Sequence, residues 1–236
     1  MFSTKPFGVL LVALLFLAAG TGCNENDTSD SVYIPYNGPL VKTKTLTING
    51  SPHITTYMYD SIGRVVSYSD ENFNNYFEYT EQAVLVKTFE TGNTGSTPDV
   101  SLTYSLNSQG LAENNNNVVH YTYDAARHMV KEVNTATSTP VSVTYTYSNG
   151  NKIADDFSNG TTNTYQYDTT KTNTIGRHNM GSGWLGTSST NLVTSMQQTN
   201  NGTTTTTTYT YEFDSQNRVT RVIPSGTQPV QQYTYY

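Results

Sequence analysis

Tyr121-Thr122-Tyr123-Asp124 is the phrase that decides the fold, because it returns as Tyr57-Met58-Tyr59-Asp60, Tyr165-Gln166-Tyr167-Asp168 and Tyr211-Glu212-Phe213-Asp214. Tyr145-Thr146-Tyr147-Ser148 and Leu102-Thr103-Tyr104-Ser105 are degraded copies. Each copy sets two large side chains two residues apart, which places them on one face of a strand, and follows them with a turn-former. The chain therefore reads as one half-hairpin written repeatedly. Measured at the second aromatic, Tyr59, Tyr79, Tyr104, Tyr123, Tyr147 and Tyr167 are 19 to 25 residues apart, the length of two strands and two turns. The next clear copy, at Phe213, lies 46 residues on, and Tyr235 follows 22 later, so one repeat between them is degenerate.

Between the copies, Asn49-Gly50, Asn149-Gly150, Asn159-Gly160 and Asn201-Gly202 mark two-residue hairpin turns, which require positive φ at both central positions. No window sustains a 3.6-residue period. The spacing predicts an all-β domain over 40–236, an antiparallel meander of about 16 strands curled into a wide or flattened barrel-like sheet with little helix.

Composition agrees. Charged residues are 13% of the 236, yet mean hydropathy is −0.51, so the polarity comes from Thr, Ser, Asn and Gln. Disorder is the competing reading, and 19 Tyr with 8 Phe at regular spacing argue against it. The formal charge is −6 without any basic stripe, which excludes nucleic acid as the expected partner.

Residues 1–22 read as a targeting segment. Lys5 precedes an apolar run from Phe7 to Ala19, too short for a stable span, and Gly20-Thr21-Gly22-Cys23 follows. Cys23 is the single cysteine, so no disulfide within the chain is available. A lone thiol after small residues resembles the lipobox of a bacterial lipoprotein, departing from it at Gly20, where a branched aliphatic is usual. An ordinary signal peptide and an uncleaved anchor are the other readings. Residues 23–39 then read as a lipidated flexible tether, with Asn24 to Ser31 polar and acidic. The acidic stretch resembles an export tag for outer-surface lipoproteins and equally suits a plain solvated linker.

Tyr57-Met58-Tyr59-Asp60-Ser61-Ile62-Gly63-Arg64-Val65 resembles the YD repeat of Rhs-type shell proteins, and Phe213-Asp214-Ser215-Gln216-Asn217-Arg218-Val219 echoes it. There are too few repeats here to enclose a toxin domain. Over 40–236 the chain is more similar to a family of bacterial lipoproteins with a porin-like fold, which carry Y-x-Y-D hairpins and a segment like Gly186-Thr187-Ser188-Ser189-Thr190-Asn191-Leu192. That resemblance implies a barrel, a lipid anchor on Cys23 and a Gram-negative outer-membrane location, at the cell surface or on the periplasmic face. It implies no activity.

Catalytic sets are not evident. His53, His120, His128 and His178 lack metal-ligand spacing, Gly181-Ser182-Gly183 is not a nucleophile elbow, and Asp155-Asp156 are adjacent, so on a strand they face opposite sides. Asp60, Asp124, Asp168 and Asp214 share one turn position, which marks them as structural. The expectation is a non-enzymatic protein without cofactor or metal. It is either a binding module for a glycan or protein or an accessory lipoprotein that pairs with an envelope partner. An outer-membrane pore is disfavoured by strands of roughly 7–9 residues and a Thr-rich second face, since membrane strands need ~9–11 with an apolar band.

Sixteen strands spaced ~4.8 Å and tilted ~40° enclose a barrel roughly 30 Å across, too wide for side chains alone to fill. Either it flattens, or water enters, or a segment of chain fills it. Thr169 to Asn191, where the repeat fails, is the one stretch suited to that role. Trp184, with Leu185 and Ile175, is expected to pack against the tyrosine rows, and Trp184 and His178 are the candidate ligand-facing residues, with sealing of the core as the other reading of Trp184.

Overall fold

The computed structural model describes residues 35–93 and 95–236. Residues 1–22, read above as a leader, Cys23 and most of the stretch read as a tether lie outside them. The described chain is a closed barrel of sixteen antiparallel strands: β1 (Val41–Ile48), β2 (Ser51–Tyr59), β3 (Val65–Ser69), β4 (Phe73–Tyr79), β5 (Ala83–Glu90), β6 (Val100–Leu106), β7 (Ala112–Asn115) and β8 (Val119–Tyr123) form the first half. The second half is β9 (Met129–Asn134), β10 (Val141–Ser148), β11 (Asn151–Phe157), β12 (Thr162–Thr172), β13 (Asn191–Asn200), β14 (Thr203–Phe213), β15 (Val219–Pro224) and β16 (Val230–Tyr235). Each strand pairs with its sequence neighbours, and β1 pairs with β16 to close the ring. Two single-turn 3-10 helices, His178–Met180 and Gly183–Leu185, lie between β12 and β13.

The alternation read from the sequence sets the two faces. Tyr145 and Tyr147 are partly buried inside the barrel while Thr144 and Thr146 face out, and Tyr165/Tyr167 against Thr164/Gln166 repeat the pattern. The even-numbered strands carry the Y-x-Y-D phrase at their C-terminal ends, so these phrases gather at one rim. There Asp60 Oδ1 accepts the N–H groups of Ile62 (3.1 Å) and Arg64 (2.9 Å), while Oδ2 accepts Arg64 Nε at 2.6 Å. Asp214 makes the same three bonds to Gln216 and Arg218, and the Arg218 N–H holds its carboxyl below the ordinary carboxylate range. The fourth turn residue is left-handed, Gly63 in one turn and Asn217 in the other, with φ of 82° and 57°. Asp168 departs from this pattern: its strand runs on to Thr172 and into the insertion.

Asn49-Gly50, Asn149-Gly150 and Asn201-Gly202 have positive φ at both residues, as their turns require. Asn159-Gly160 does not. Only Gly160 is left-handed, and Asn159 Oδ1 accepts the Thr161 N–H at 2.9 Å inside a longer turn closed by Phe157 N–H to Thr161 O. A side-chain acceptor there does what a second positive φ does in the other three.

The second aromatic of the phrase has a further role. Tyr59 Oη donates to Val41 O (2.7 Å), Tyr79 to Val65 O (2.7 Å), Tyr167 to Lys152 O (2.6 Å) and Tyr235 to Val219 O (2.7 Å). Each acceptor sits on the preceding strand at a β-bulge, where the pairing skips one residue: Val41/Thr43, Val65/Ser67, Lys152/Ala154 and Val219/Arg221. The repeat is therefore a bulged strand capped from the inside by the next strand's tyrosine.

Outward side chains are chiefly Thr, Ser and charged residues, with Lys87–Glu78 and Arg221–Glu212 pairs across neighbouring strands. Only β2, β12, β13 and β14 reach nine residues. Isolated apolar side chains such as Ile54 and Met58 on β2 are exposed, without forming a continuous band.

Candidate functional site

Residues 173–190 leave the wall between β12 and β13 and cross the barrel as an internal plug. Its anchors reach nearly every sector of the rim. Thr174 Oγ1 accepts the Val219 N–H (2.9 Å), Asn179 Nδ2 donates to Tyr36 Oη (2.6 Å) and Pro39 O (2.9 Å), Gly181 O accepts the Val65 N–H (3.2 Å), and Thr187 N–H donates to Arg127 O (2.8 Å). Beside β11, Thr190 N–H donates to Gly150 O at 3.0 Å, and the Asn151 and Asn191 amides bond each other at 3.0 Å. Gly181 permits the crossing: its φ is 68°, and a Cβ there would lie 2.3 Å from Val65 N.

The plug fills the barrel unevenly. Towards β2–β7 it completes a packed core, where Trp184 is 3% exposed, its ring 4.6 Å from Tyr104 and 6.5 Å from Phe77 by centroids, beside Val84, Val86 and Ala112. Towards β9–β14, β16 and β1 it leaves a half-open cavity of about 590 Å³. Plug residues Ile175, Arg177, Met180, Leu185 and Ser189 form its roof, and its walls carry Tyr145, Tyr147, Tyr165, Tyr167, Tyr211 and Tyr233 with Lys44 and Lys152.

The polar groups of the cavity are arranged by burial. Lys152 Nζ pairs with the buried Asp155 at 2.7 Å and lies 4.7 Å over the Tyr165 ring. Tyr165 also donates to Asp155, and burial followed by that bond raises its pKa above the ordinary tyrosine range. Tyr147 is pushed up to about 12 by burial, against the lowering influence of the Arg177 guanidinium. Arg177 donates from Nη1 to Leu185 O. Lys44 has its ammonium pKa lowered by burial, and no ion pair to it occurs among the described residues.

The structure separates the candidates named from sequence. Trp184 seals the core and does not line the cavity, whereas Leu185 and Ile175 do. His178 lies on the plug's other side against Tyr36, ring centroids 5.7 Å apart, and burial with Arg127 and Arg177 lowers its pKa. Cys23 lies outside the described residues. Of the stretch 23–39, residues 35–39 are described, and within them Tyr36 and Pro39 are bound to the plug and Tyr36 N–H to Ile62 O (3.1 Å). Asp155 faces in and Asp156 out, as adjacency on a strand dictates. Lys44, Lys152 and Arg177 carried no sequence signal of their own.

No protein-family model and no curated relative matches the chain. Among solved structures it is similar to a porin-like protein from Bacteroides uniformis ATCC 8492, with TM-score 0.61 and 16% identity over 83% of this chain and 98% of that one. It is also similar to a porin-like protein from Bacteroides vulgatus ATCC 8482, with TM-score 0.52 and 14% identity over 84% of this chain and 99% of that one. At these identities the likeness is one of fold: a porin-like barrel.

Proposed function

We propose that this is a lipid-anchored protein of the bacterial envelope whose barrel is a non-catalytic receptor for a glycan or protein ligand. The observation that carries the reading is the tyrosine-walled cavity beneath the plug: its volume falls in the range of small-ligand sites, and its polar groups converge on a few positions. The outer wall supports a barrel bathed in water rather than lipid, because charged pairs and threonines occupy the face that a membrane strand would make apolar. A lipid on Cys23, cut from the leader over 1–22, would then supply the membrane attachment. Ile54 and Met58, exposed together on β2, favour the accessory reading, in which the wall docks an envelope partner.

The test has two arms. Incorporation of a fatty-acid probe, lost on Cys23→Ser, supports the anchor, and labelling retained in that variant overturns it. A saccharide and peptide array probed with the full chain tests the receptor, and silence there with stoichiometric co-purification of an envelope protein transfers the assignment to the accessory reading.

A further inference from the structure

The cavity is cationic inside an acidic protein. Among the described residues no carboxylate lines it, while Lys44, Lys152 and Arg177 do, in a chain of formal charge −6. Two carboxylates stand nearby, and both are engaged: Asp155 pairs with Lys152, and Glu132 accepts the Tyr145 hydroxyl at 3.3 Å. That leaves Lys44 and Arg177 as cations facing the cavity without a carboxylate partner among the described residues. Lys44 stands on β1 and Lys152 on β11, with β12 to β16 between them around the ring, so positive charge reaches the space from both walls and from the roof. A half-buried ammonium without a counter-ion is costly to hold, and a bound anion removes that cost.

The walls define the rest of the ligand. The hydroxyls of Tyr167 and Tyr211 are committed to Lys152 O and Val193 O, so their rings offer the cavity apolar surface rather than phenol groups. Gln231 adds a neutral amide, its oxygen accepting from Tyr233, while Asn191 and Ser189 line the space with side chains engaged by Asn151 and by Tyr167. Apolar faces edged by neutral hydrogen-bonding groups complement a sugar ring, which has C–H faces and hydroxyl edges. We infer that the cavity binds an acidic saccharide, its anionic group received by Lys44 and Arg177 and its rings stacked on the tyrosine walls.

This rests on the receptor reading and narrows it, and the experiment keeps the two apart. The full chain and its Lys44→Gln and Lys44→Glu variants, each checked by thermal melting, are titrated by calorimetry against a panel of uronate, sulfated and phosphorylated oligosaccharides. Their methyl-esterified, desulfated or dephosphorylated counterparts and inorganic phosphate complete the panel. The expected result is binding of at least one acidic member that weakens tenfold or more on neutralising the ligand and again in Lys44→Glu, with Lys44→Gln intermediate. Binding that survives neutralisation of the ligand, or is confined to neutral sugars, overturns the inference and leaves the receptor reading standing. Binding of inorganic phosphate alone overturns the saccharide. Absence of binding by any member overturns both. If the Lys44 variants melt out, the comparison of charged and neutralised ligands on the unaltered chain decides the question.

Discussion

The phenolic hydroxyl of Tyr211 on β14 donates to the carbonyl oxygen of Val193 on β13 at 2.7 Å, at the position where the pairing of β13 with β12 skips Thr194. The same bond recurs around the rim at Tyr59, Tyr79, Tyr167 and Tyr235, so the tyrosine repeated through the sequence caps bulges as well as filling the barrel. Tyr123 occupies the equivalent place on β8, but its buried hydroxyl has no partner among the described residues.

Removing one such hydroxyl therefore has a position-dependent cost. Tyr211→Phe should lose about 1–2 kcal/mol, because it strands a carbonyl inside the wall, whereas Tyr123→Phe should be neutral or slightly stabilising. Urea denaturation of the two variants measures the difference, and equal losses would contradict the capping role.

The two classes of left-handed glycine should respond differently to alanine. Gly202 has φ of 77° and open space around it, so Gly202→Ala should cost only the backbone penalty of about 1–2 kcal/mol. Gly181→Ala adds a clash with the backbone of Val65 and with the Tyr59 ring, and should cost at least about 2 kcal/mol more. A thermal-melt comparison in which Gly181→Ala is no worse than Gly202→Ala would show that the plug is not seated against β3.

Trp184 reports on the core rather than on the ligand. Its emission should be blue-shifted, protected from iodide, and unmoved when a ligand fills the cavity, since it packs on Tyr104 and Phe77 on the opposite side of the plug. Trp184→Ala should cost about 3–5 kcal/mol. Strong iodide quenching in the native state would place the indole elsewhere.

Alkali should unfold the barrel. Burial raises the pKa of Tyr57, Tyr59 and Tyr233 above the ordinary range, and neighbouring charges at Asp70 or adjacent tyrosines add to it. In the unfolded chain these groups ionise near ~10. Their contribution is thus complete below that pH and falls as pH rises towards the folded values, because the unfolded state releases protons first. Unfolding midpoints should be flat from pH 7 to 9 and drop steeply above about pH 10. Tyr59→Phe should blunt the drop.

Much of this was legible in the sequence. Two-residue alternation in Tyr145-Thr146-Tyr147 fixes which face is buried, the spacing of the copies counts sixteen strands, and the lapse after Asp168 locates the plug. The cavity was not legible, for a physical reason visible in β1. Straight alternation from the buried Val41 puts Thr43 and Thr45 inside. The bulge between Val41 and Thr43 shifts the phase by one, so Lys44 and Leu46 point inward opposite Thr55 and His53. Alternation within β1 does not announce the bulge at Val41, and the hydroxyl that caps it, that of Tyr59, lies on another strand. Arg177 is equally silent in sequence, since only the folded course of the plug brings it over the tyrosine walls.

The seam between β1 and β16 is the one pairing that joins strands remote in sequence, and the plug bridges it, holding Pro39 through Asn179 and Tyr235 through Thr174. Fifteen pairings join strands that are neighbours in sequence, yet until β16 docks on β1, two open edges offer unpaired N–H and C=O groups to any neighbouring molecule. Completion of the ring thus depends on one strand, Val230–Tyr235, reaching Val41–Ile48. A chain stopped before Val230 would keep nearly all of its local order and lose its protection against edge-to-edge association, leaving an aggregation-prone sheet in place of a barrel.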